Sequence, residues 1–307
     1  MKRIRIPGLV DIAIVDDAAE VESLSQNTSL DRAYADRSTI VNGLILRRIC
    51  DTLQQAGKRF PTISPRQDAE RAAAQKALSE RLRAMSYSLT DGPDELEPLA
   101  RWVRGEGETD ACGPLIQDVV GKLFNPAFRA TAETWDAALL LNQAPRCANP
   151  ALLAWWALTH KVDRAKQLLS DAMQGDLAGV HAIGIAVHNI VNGLQAMREL
   201  YRDPQRRAAH SAEQVLRQCI FAPDTVLRQP VCPVVADSQT LNTATVLLLK
   251  LQDANAAAPS SDVAFLSNSW SECPASHWVP ALLQGTWNRA TRPVEPAKAF
   301  SQAAPLH

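Results

Sequence analysis

Three short segments contain residue types that support chemistry in proteins: a cysteine near the C-terminus, two histidines in an uncharged stretch, and an acid–base pair. Cys273 lies in an aperiodic segment directly before a predicted helix. Backbone N–H groups and the helix dipole at such a position stabilise a thiolate, which is both a metal ligand and a nucleophile. The alternative is a small buried residue without a function, as most free cysteines are.

The two histidines, His181 and His188, are seven residues apart in a stretch, 177–197, that contains no Asp, Glu, Lys or Arg. At 100° per residue they share one helical face with Gly184. Seven residues span about 10.5 Å of helix, too far for both histidines to bind one metal easily. The commoner arrangement is a pair of buried histidines, each hydrogen bonded to a neighbouring segment. The functional interpretation is that the three residues line a pocket, where imidazole exchanges protons near neutral pH.

The acid–base pair is Glu213 and Arg217, four residues apart on a predicted helix. This spacing usually gives a surface ion pair worth about 0.3–0.5 kcal/mol. By itself the pair indicates no function.

The elements that must position these residues are mainly helical, with a small β region. Alternating apolar residues over 9–15 predict a strand, and Asp16 and Asp17 cap the helix that follows. The uncharged stretch is long enough to span a membrane, but its His, Asn, Gln and Gly residues favour a central buried helix that ends at Asp203 before a proline. Further helices are predicted over 31–56, 67–85, 114–123, 130–141, 150–160, 162–173, 212–219 and 281–289.

A few segments have a sequence pattern that does not indicate a helix clearly. Loop signals dominate residues 86–107, whereas 243–251 fit a strand or the start of a buried helix. Residues 262–265 fit a short strand, and the proline-containing tail from 292 is expected to be loosely ordered. With no repeat and no low-complexity linker, the chain is predicted to form one domain.

Composition excludes several classes of function. The chain has 307 residues, 46% of them apolar, and 32 Lys and Arg balance 33 Asp and Glu, so no nucleic-acid partner is indicated. The N-terminus lacks the apolar core of a signal peptide, which favours a cytoplasmic protein that does not interact with a membrane. Six cysteines form no C-x-x-C pair, and the usual dinucleotide, phosphate-loop, esterase and zinc-protease motifs are absent.

Considered together, these features resemble one family. The chain has a central helix beginning Ala178-Gly179, an E-x-x-R-like helix about 35 residues later, an arginine after it, a sheet region, and a cysteine loop that leads into a final helix. This order is similar to that of the cytochrome P-450 haem-thiolate monooxygenases. The strand, helix and Leu30-Asp-Arg segment over 12–32 also look like the opening of bacterial members.

The resemblance implies a role for each matching residue. Cys273 would be the axial thiolate of a haem b, with Phe265 as the aromatic at the start of its loop. Glu213 and Arg217 would support the haem region, and Arg228 would contact a haem propionate; the alternative for Arg228 is an ordinary exposed arginine. The oxygen-binding segment would be 178–182, which contains Gly179.

The same resemblance implies boundaries: one P-450-like domain over 1–307, an N-terminal strand and helix in 1–35, the central helix in 175–204, a haem-side region in 211–290 and a flexible tail in 291–307.

The implied function is oxidation of a small apolar or amphipathic organic molecule. Electrons would come from a ferredoxin or reductase. Peroxide is the other possible oxidant, because His181 and Ala182 replace the acid and threonine that deliver protons. His181 or His188 would then be the catalytic proton-transfer residue. A P-450-like binding or partner protein without haem is the first alternative, and an unrelated helical enzyme or interaction protein is the second.

Overall fold

The computed structural model describes residues 1–32, 34, 39–87, 89 and 94–292. Strands are β1 (Lys2–Ile6), β2 (Val10–Val15), β3 (Leu30–Asp31), β4 (Gln54–Gln55), β5 (Lys58–Arg59), β6 (Val226–Pro230), β7 (Val234–Ala236), β8 (Gln239–Leu241) and β9 (Val246–Leu249). In the first half, the helices are α1 (Ala18–Gln26), α2 (Ile40–Thr52), α3 (Ala69–Ser86), α4 (Glu97–Val103), α5 (Cys112–Phe124), α6 (Ala132–Gln143) and α7 (Pro150–Leu158). In the second half they are α8 (Lys161–Ala172), α9 (Leu177–His181), α10 (Val187–Arg202), α11 (Pro204–Ala209), α12 (Ala212–Cys219), α13 (Leu251–Ala257), α14 (Asp262–Phe265) and α15 (Val279–Thr291).

The largest sheet joins strands from residues 2–31 to strands from residues 226–249. Its strand order is β1-β2-β9-β6-β3, with β2 and β9 parallel and the other pairs antiparallel. In β2 every second residue is buried, as the alternating sequence predicts. Strand β9 falls inside the 243–251 segment and is almost wholly buried, which explains its continuous apolar run.

The central helix is continuous from Leu177 to Arg202 because a π-helical turn over Ala182–Ala186 connects α9 to α10. It is long and apolar enough to cross a membrane, but half of its apolar window is buried inside the protein. It packs against α4, α5, α12 and α15. The helix face opposite the apolar one is expected from the sequence to be covered by protein or ligand, but Asn192 on that face is exposed.

One buried side chain binds the π turn to its neighbours. Gln117 of α5 is fully buried and donates through Nε2 to the carbonyls of Ile183 (3.1 Å) and Thr134 (3.0 Å). Its Oε1 accepts the Thr134 hydroxyl at 2.9 Å. π turns are rare and recur at functional sites, and this one directly follows His181.

Most predicted helices are observed within a few residues of their expected limits, including 212–219 and the helix end at Asp203. Three predictions are wrong in whole or in part. The segment 31–56, predicted to be mostly helical, contains α2, but the helix ends at Thr52 and is followed by a β4–β5 hairpin that turns at Ala56 and Gly57, both with positive φ; residues 33 and 35–38 lie outside the described residues. Helix α4 lies in the supposed 86–107 loop, where its short length concealed its buried face.

The third wrong prediction concerns residues 262–265, which form helix α14 and not a strand. Three successive buried residues, Val263, Ala264 and Phe265, give no period that separates the two conformations. Of the tail, residues 293–307 lie outside the described residues.

The contact between α10 and α12 depends on Gly193. A Cβ added at this position would overlap the carbonyl oxygen of Cys219, a backbone atom that cannot move without its helix. We expect Gly193→Ala to lower the free energy of unfolding by about 2–3 kcal/mol, because this overlap outweighs the roughly 1 kcal/mol gain in helix propensity. Chemical denaturation measures the loss. The neighbouring control Asn192→Ala, on the exposed face, should change stability by less than about 0.5 kcal/mol.

Candidate functional site

A cavity of about 1580 Å³ lies between the central helix, α3 and the segment that precedes α15. Small-molecule and cofactor pockets usually measure about 300–1,000 Å³, so this one can hold a large group together with a smaller molecule. Its walls are largely apolar in area but also contain polar side chains of both charges. The lining residues include Arg32, Arg71, His181, Phe265 and Cys273.

Cys273 is a free cysteine on the cavity wall. Its N–H donates to the Phe265 carbonyl at 2.8 Å, which closes the loop, and the Ala275 N–H is hydrogen bonded to its sulfur. Burial raises the pKa of the Cys273 thiol, and the Ala275 amide opposes this only in part. The charge of Arg32 also opposes the effect of burial, but the pKa stays above the ordinary thiol value, so the sulfur is a protonated thiol near neutral pH.

The cysteine loop turns without the glycine that the resemblance leads one to expect. Leu266 (φ 51°) and Asn268 (φ 62°) adopt left-handed backbone conformations. Asparagine tolerates this region better than most residues, so Asn268 signals such a turn in the sequence. Pro280 lies in the first turn of α15, where proline is tolerated, so the final helix begins two residues earlier than predicted.

His181 faces the cavity at the junction of α9 and the π turn. Its ring is tilted against Phe60, with a centroid separation of 6.4 Å, and its Nδ1 is buried without a hydrogen-bond partner. Its remaining accessible surface opens on the cavity. Burial, assisted by the nearby charge of Arg32, lowers the pKa of His181 to about 4. The imidazole is therefore neutral at physiological pH.

The structure does not bring His188 and the two helix glycines to the cavity. His188 donates through Nε2 to the Ala138 carbonyl at 3.0 Å, and its ring lies 5.1 Å from that of Trp135. A Cβ at Gly184 would meet a methyl group of Leu169 at 2.9 Å. The expected pocket shared by His181, Gly184 and His188 is thus not formed, because the π turn and the packing against α6 and α8 place the latter two within the core.

Gly179, like Gly184, lies where the helix packs closely against its neighbours. A Cβ there would lie 2.9 Å from the sulfur of Met173 and 3.1 Å from Phe124. The glycine thus allows α9 to approach its neighbours closely. It does not line the cavity.

The predicted pair Glu213 and Arg217 is not formed. Glu213 is exposed, whereas Arg217 donates to the side chain and carbonyl of Asn255 and to the Ala258 carbonyl, at the C-terminal end of α13. Gln214 forms a capping box with Ser211. A cation at a helix C-terminus satisfies carbonyls that have no partner within the helix, so Arg217 joins α12 to α13.

Arg228 is fully buried, contrary to the interpretation of an ordinary exposed arginine. It donates to the Ser271 hydroxyl at 2.6 Å and to the Leu227 carbonyl at 2.8 Å. Burial, with the charges of Arg32 and Arg71, lowers its pKa to about 9, so it remains a cation at neutral pH. Arg228 lies behind the cavity wall and does not line it.

Two arginines that sequence analysis missed do line the cavity. Arg32 donates to the Pro61 carbonyl at 3.1 Å, and burial lowers its pKa to about 10. Arg71 donates to Gln75 at 2.6 Å and to the Trp270 carbonyl at 2.9 Å. Within the described part of the chain neither forms an ion pair with a carboxylate, and the Nε of each is buried without a partner. Isolated arginines give no signal in a single sequence; only the fold brings them together.

No group of three or more His, Cys, Asp or Glu side chains that fits a metal ion occurs among the described residues. The cavity therefore offers one soft ligand, Cys273, together with the cations Arg32 and Arg71 and the neutral imidazole of His181.

The roles of Glu213 and Arg217 can be separated by mutation. Arg217→Ala leaves three acceptors at the end of α13 without their donor, and we expect a loss of about 1–3 kcal/mol in the free energy of unfolding. Glu213→Ala should change it by less than about 0.5 kcal/mol, because Glu213 is exposed and not paired with Arg217. Chemical denaturation of both variants is the measurement. Equal losses would mean that the two side chains act as a pair after all.

The lowered pKa of His181 predicts a pH-dependent stability. Between pH 7 and pH 5 the unfolded chain, with an ordinary histidine pKa near 6.5, binds a proton at this site that the folded protein does not. Stability should therefore fall by about 2 kcal/mol over this interval because of His181 alone. Denaturation at both pH values should show a smaller fall in His181→Gln. The control His210→Gln, at a half-buried position away from the cavity, should behave like the wild type.

Comparison with known proteins gives a match in structure only. No family model and no curated protein sequence matches the chain. The cytochrome P450 enzyme CxnD for C–S bond formation in chuangxinmycin biosynthesis is similar with a TM-score of 0.62 and 12% identity, over 92% of this chain and 80% of that one. The tirandamycin C-bound P450 monooxygenase TamI gives 0.60 and 15%, over 93% and 84%.

A third similar structure is the mycinamicin VIII C21 methyl hydroxylase MycCI from Micromonospora griseorubida, with a TM-score of 0.60 and 12% identity over 94% of this chain and 84% of that one. The mainly α fold class and the resemblance found in the sequence are thereby confirmed at the level of structure. The chain has the fold of the cytochrome P450 enzymes.

Proposed function

We propose that this protein binds haem b through Cys273 and acts as a P450-like oxidoreductase on a small organic molecule. The observation that carries the proposal is the position of Cys273, a free thiol on the wall of a large apolar cavity that also receives two arginines without carboxylate partners. The similarity of the fold to that of P450 enzymes supports this class of chemistry.

The residues present fit such a group. A thiolate is an established axial ligand of haem iron, and the Ala275 N–H stabilises charge on this sulfur. The two carboxylates of a haem match the cations Arg32 and Arg71, whose Nε–H groups have no acceptor in the described part of the chain. The sequence has no C-x-x-C pair for covalent attachment, which favours haem b.

When bound, a thiolate-ligated haem supplies oxidising chemistry to an organic substrate. Cys273 must lose its proton for this ligation, and its raised pKa makes haem affinity increase with pH in the neutral range. The pKa of about 4 restricts His181 to hydrogen bonding or proton acceptance, because almost no imidazolium is present at pH 7. His188 takes no part, since it is hydrogen bonded to Ala138 away from the cavity.

The residues that line the cavity also support a proposal for the oxidant and for the substrate class. Ala182 provides no hydroxyl beside His181, so we propose peroxide as the oxidant, with a ferredoxin or reductase as the alternative source of electrons. The largely apolar lining suits a small apolar or amphipathic molecule. The structures of MycCI and TamI with mycinamicin VIII and tirandamycin C support this substrate class.

One observation favours a second function, a binding or partner protein of the same fold without haem. Arg228, the arginine expected at a propionate, is hydrogen bonded to Ser271 and Leu227 and lies off the cavity. A protein that had lost its haem would tolerate this arrangement. A measurement of haem uptake distinguishes the haem-binding oxidoreductase from the haem-free protein.

The proposal predicts that the purified protein takes up added haemin, and that its reduced carbon monoxide complex shows the red-shifted absorption of thiolate ligation. Cys273→Ser should abolish this band and weaken haem binding at least about 10-fold, because the axial ligand is lost. Cys50→Ser is the matched control, since Cys50 is also half-buried but does not line the cavity. A wild-type protein that takes up no haemin would favour the haem-free function.

A further inference from the structure

Trp270 lies three residues before Cys273 and is surrounded by three guanidinium groups. The central guanidinium carbons of Arg32, Arg71 and Arg228 lie 5.1, 5.0 and 5.2 Å from its ring centroid. Each distance is within the range of a cation–π interaction. One aromatic ring therefore contacts three cations that come from distant parts of the chain.

Such a cluster is unfavourable by itself. The Arg32 and Arg71 charges lower the pKa of Arg228, which shows that the like charges repel, and burial disfavours all three cations. Asp31, whose charge raises the pKa of all three arginines and opposes the effect of burial, accepts the backbone N–H groups of Arg32 and Arg66 through its Oδ1. It forms no ion pair with the three guanidinium groups.

The cluster also has donors without acceptors. The Nε atoms of the three arginines and the Nε1 of Trp270 are all buried with no partner among the described residues. Buried donors without a partner are rare in native proteins, and four of them in one place point to a missing acceptor. A dianion in the cavity, which only accepts hydrogen bonds, would supply an acceptor to Arg32 and Arg71 and offset the charge of the cluster.

We propose that Trp270 is a positioning residue that holds Arg32, Arg71 and Arg228 together as one cationic cluster, so that Arg32 and Arg71, which line the cavity, recognise a ligand with two carboxylates. The flat ring gives the guanidinium groups a common surface, and the Trp270 carbonyl fixes Arg71 by a hydrogen bond. The identity of the ligand as haem rests on the proposed function. The anion-binding role of the cluster does not.

The test compares haem with its dimethyl ester, which has the same ring but no anionic carboxylates. We expect the wild type to bind haem about 10-fold or more tightly than the ester, measured by absorbance titration. Trp270→Leu should reduce this ratio to near one, because the guanidinium groups lose their common surface. Trp270→Phe keeps an aromatic face and should retain part of the ratio.

Trp287→Leu is the matched control. Trp287 is buried, it contacts the ring of Tyr201 and, like Trp270, it does not line the cavity. Its loss should affect binding of haem and ester equally and leave the ratio unchanged. The inference is overturned if Trp270→Leu keeps the wild-type ratio of haem affinity to ester affinity. It is also overturned if Trp287→Leu lowers this ratio as much as Trp270→Leu does. The proposed function would survive either result. If Trp270→Leu does not fold, an unchanged ratio in Trp270→Phe overturns the inference.

If the wild type does not bind haem, the proposed function fails, and a second measurement then tests whether the arginine cluster binds an anion. Inorganic pyrophosphate, added to the haem-free protein, should raise the thermal midpoint of the wild type and of Trp287→Leu, because a dianion bound to the folded state stabilises it. Trp270→Leu should show no rise, with Trp270→Phe again deciding if that variant does not fold. For a wild type that does not bind haem, the inference would be overturned if pyrophosphate does not raise its thermal midpoint, or if it raises the midpoint of the Trp270 variant equally.

Discussion

The central helix depends on the burial of a long uncharged surface, and much of the fold follows from that requirement. Ile183, Val187, Leu194 and Met197 are fully buried, which removes about 1.5–3 kcal/mol of unfavourable hydration for each side chain. Helices α4, α5, α12 and α15 supply the cover. Close approach requires the absence of a side chain at Gly193, which contacts the Cys219 carbonyl, while Gln117 satisfies a carbonyl of the π turn.

The π turn connects this packing to the cavity. One extra residue in the turn rotates the helix, so that His181 before it faces the cavity while Gly184 and His188 lie against α6 and α8. The lowered pKa of His181 is a consequence of the same burial. The helix thus supplies a neutral imidazole to a cavity that is also lined by Arg32 and Arg71.

Charge in the cavity is the second constraint. Three arginines converge on one indole, and the carboxylates in the described part of the chain do not neutralise them. Such an arrangement costs stability unless a ligand supplies the missing negative charge. Cys273 is coupled to the same cluster, because the Arg32 charge lowers the pKa of its thiol and so partly opposes the effect of burial. Thiol and cations therefore form one site, although the sequence separates them widely.

The sequence by itself determined the strand at 9–15, most helices, and the order of central helix, sheet and cysteine loop, because these features depend on local periodicity and on caps such as Asp17. That order was sufficient to identify the fold. Tertiary structure decided which predicted residues meet. The partner of Arg217 is Asn255 and not Glu213, because burial selects the end of α13 over an exposed acid. Arg71 and Trp270, 199 positions apart, come together only when the chain folds, since long-range packing leaves no period in either segment.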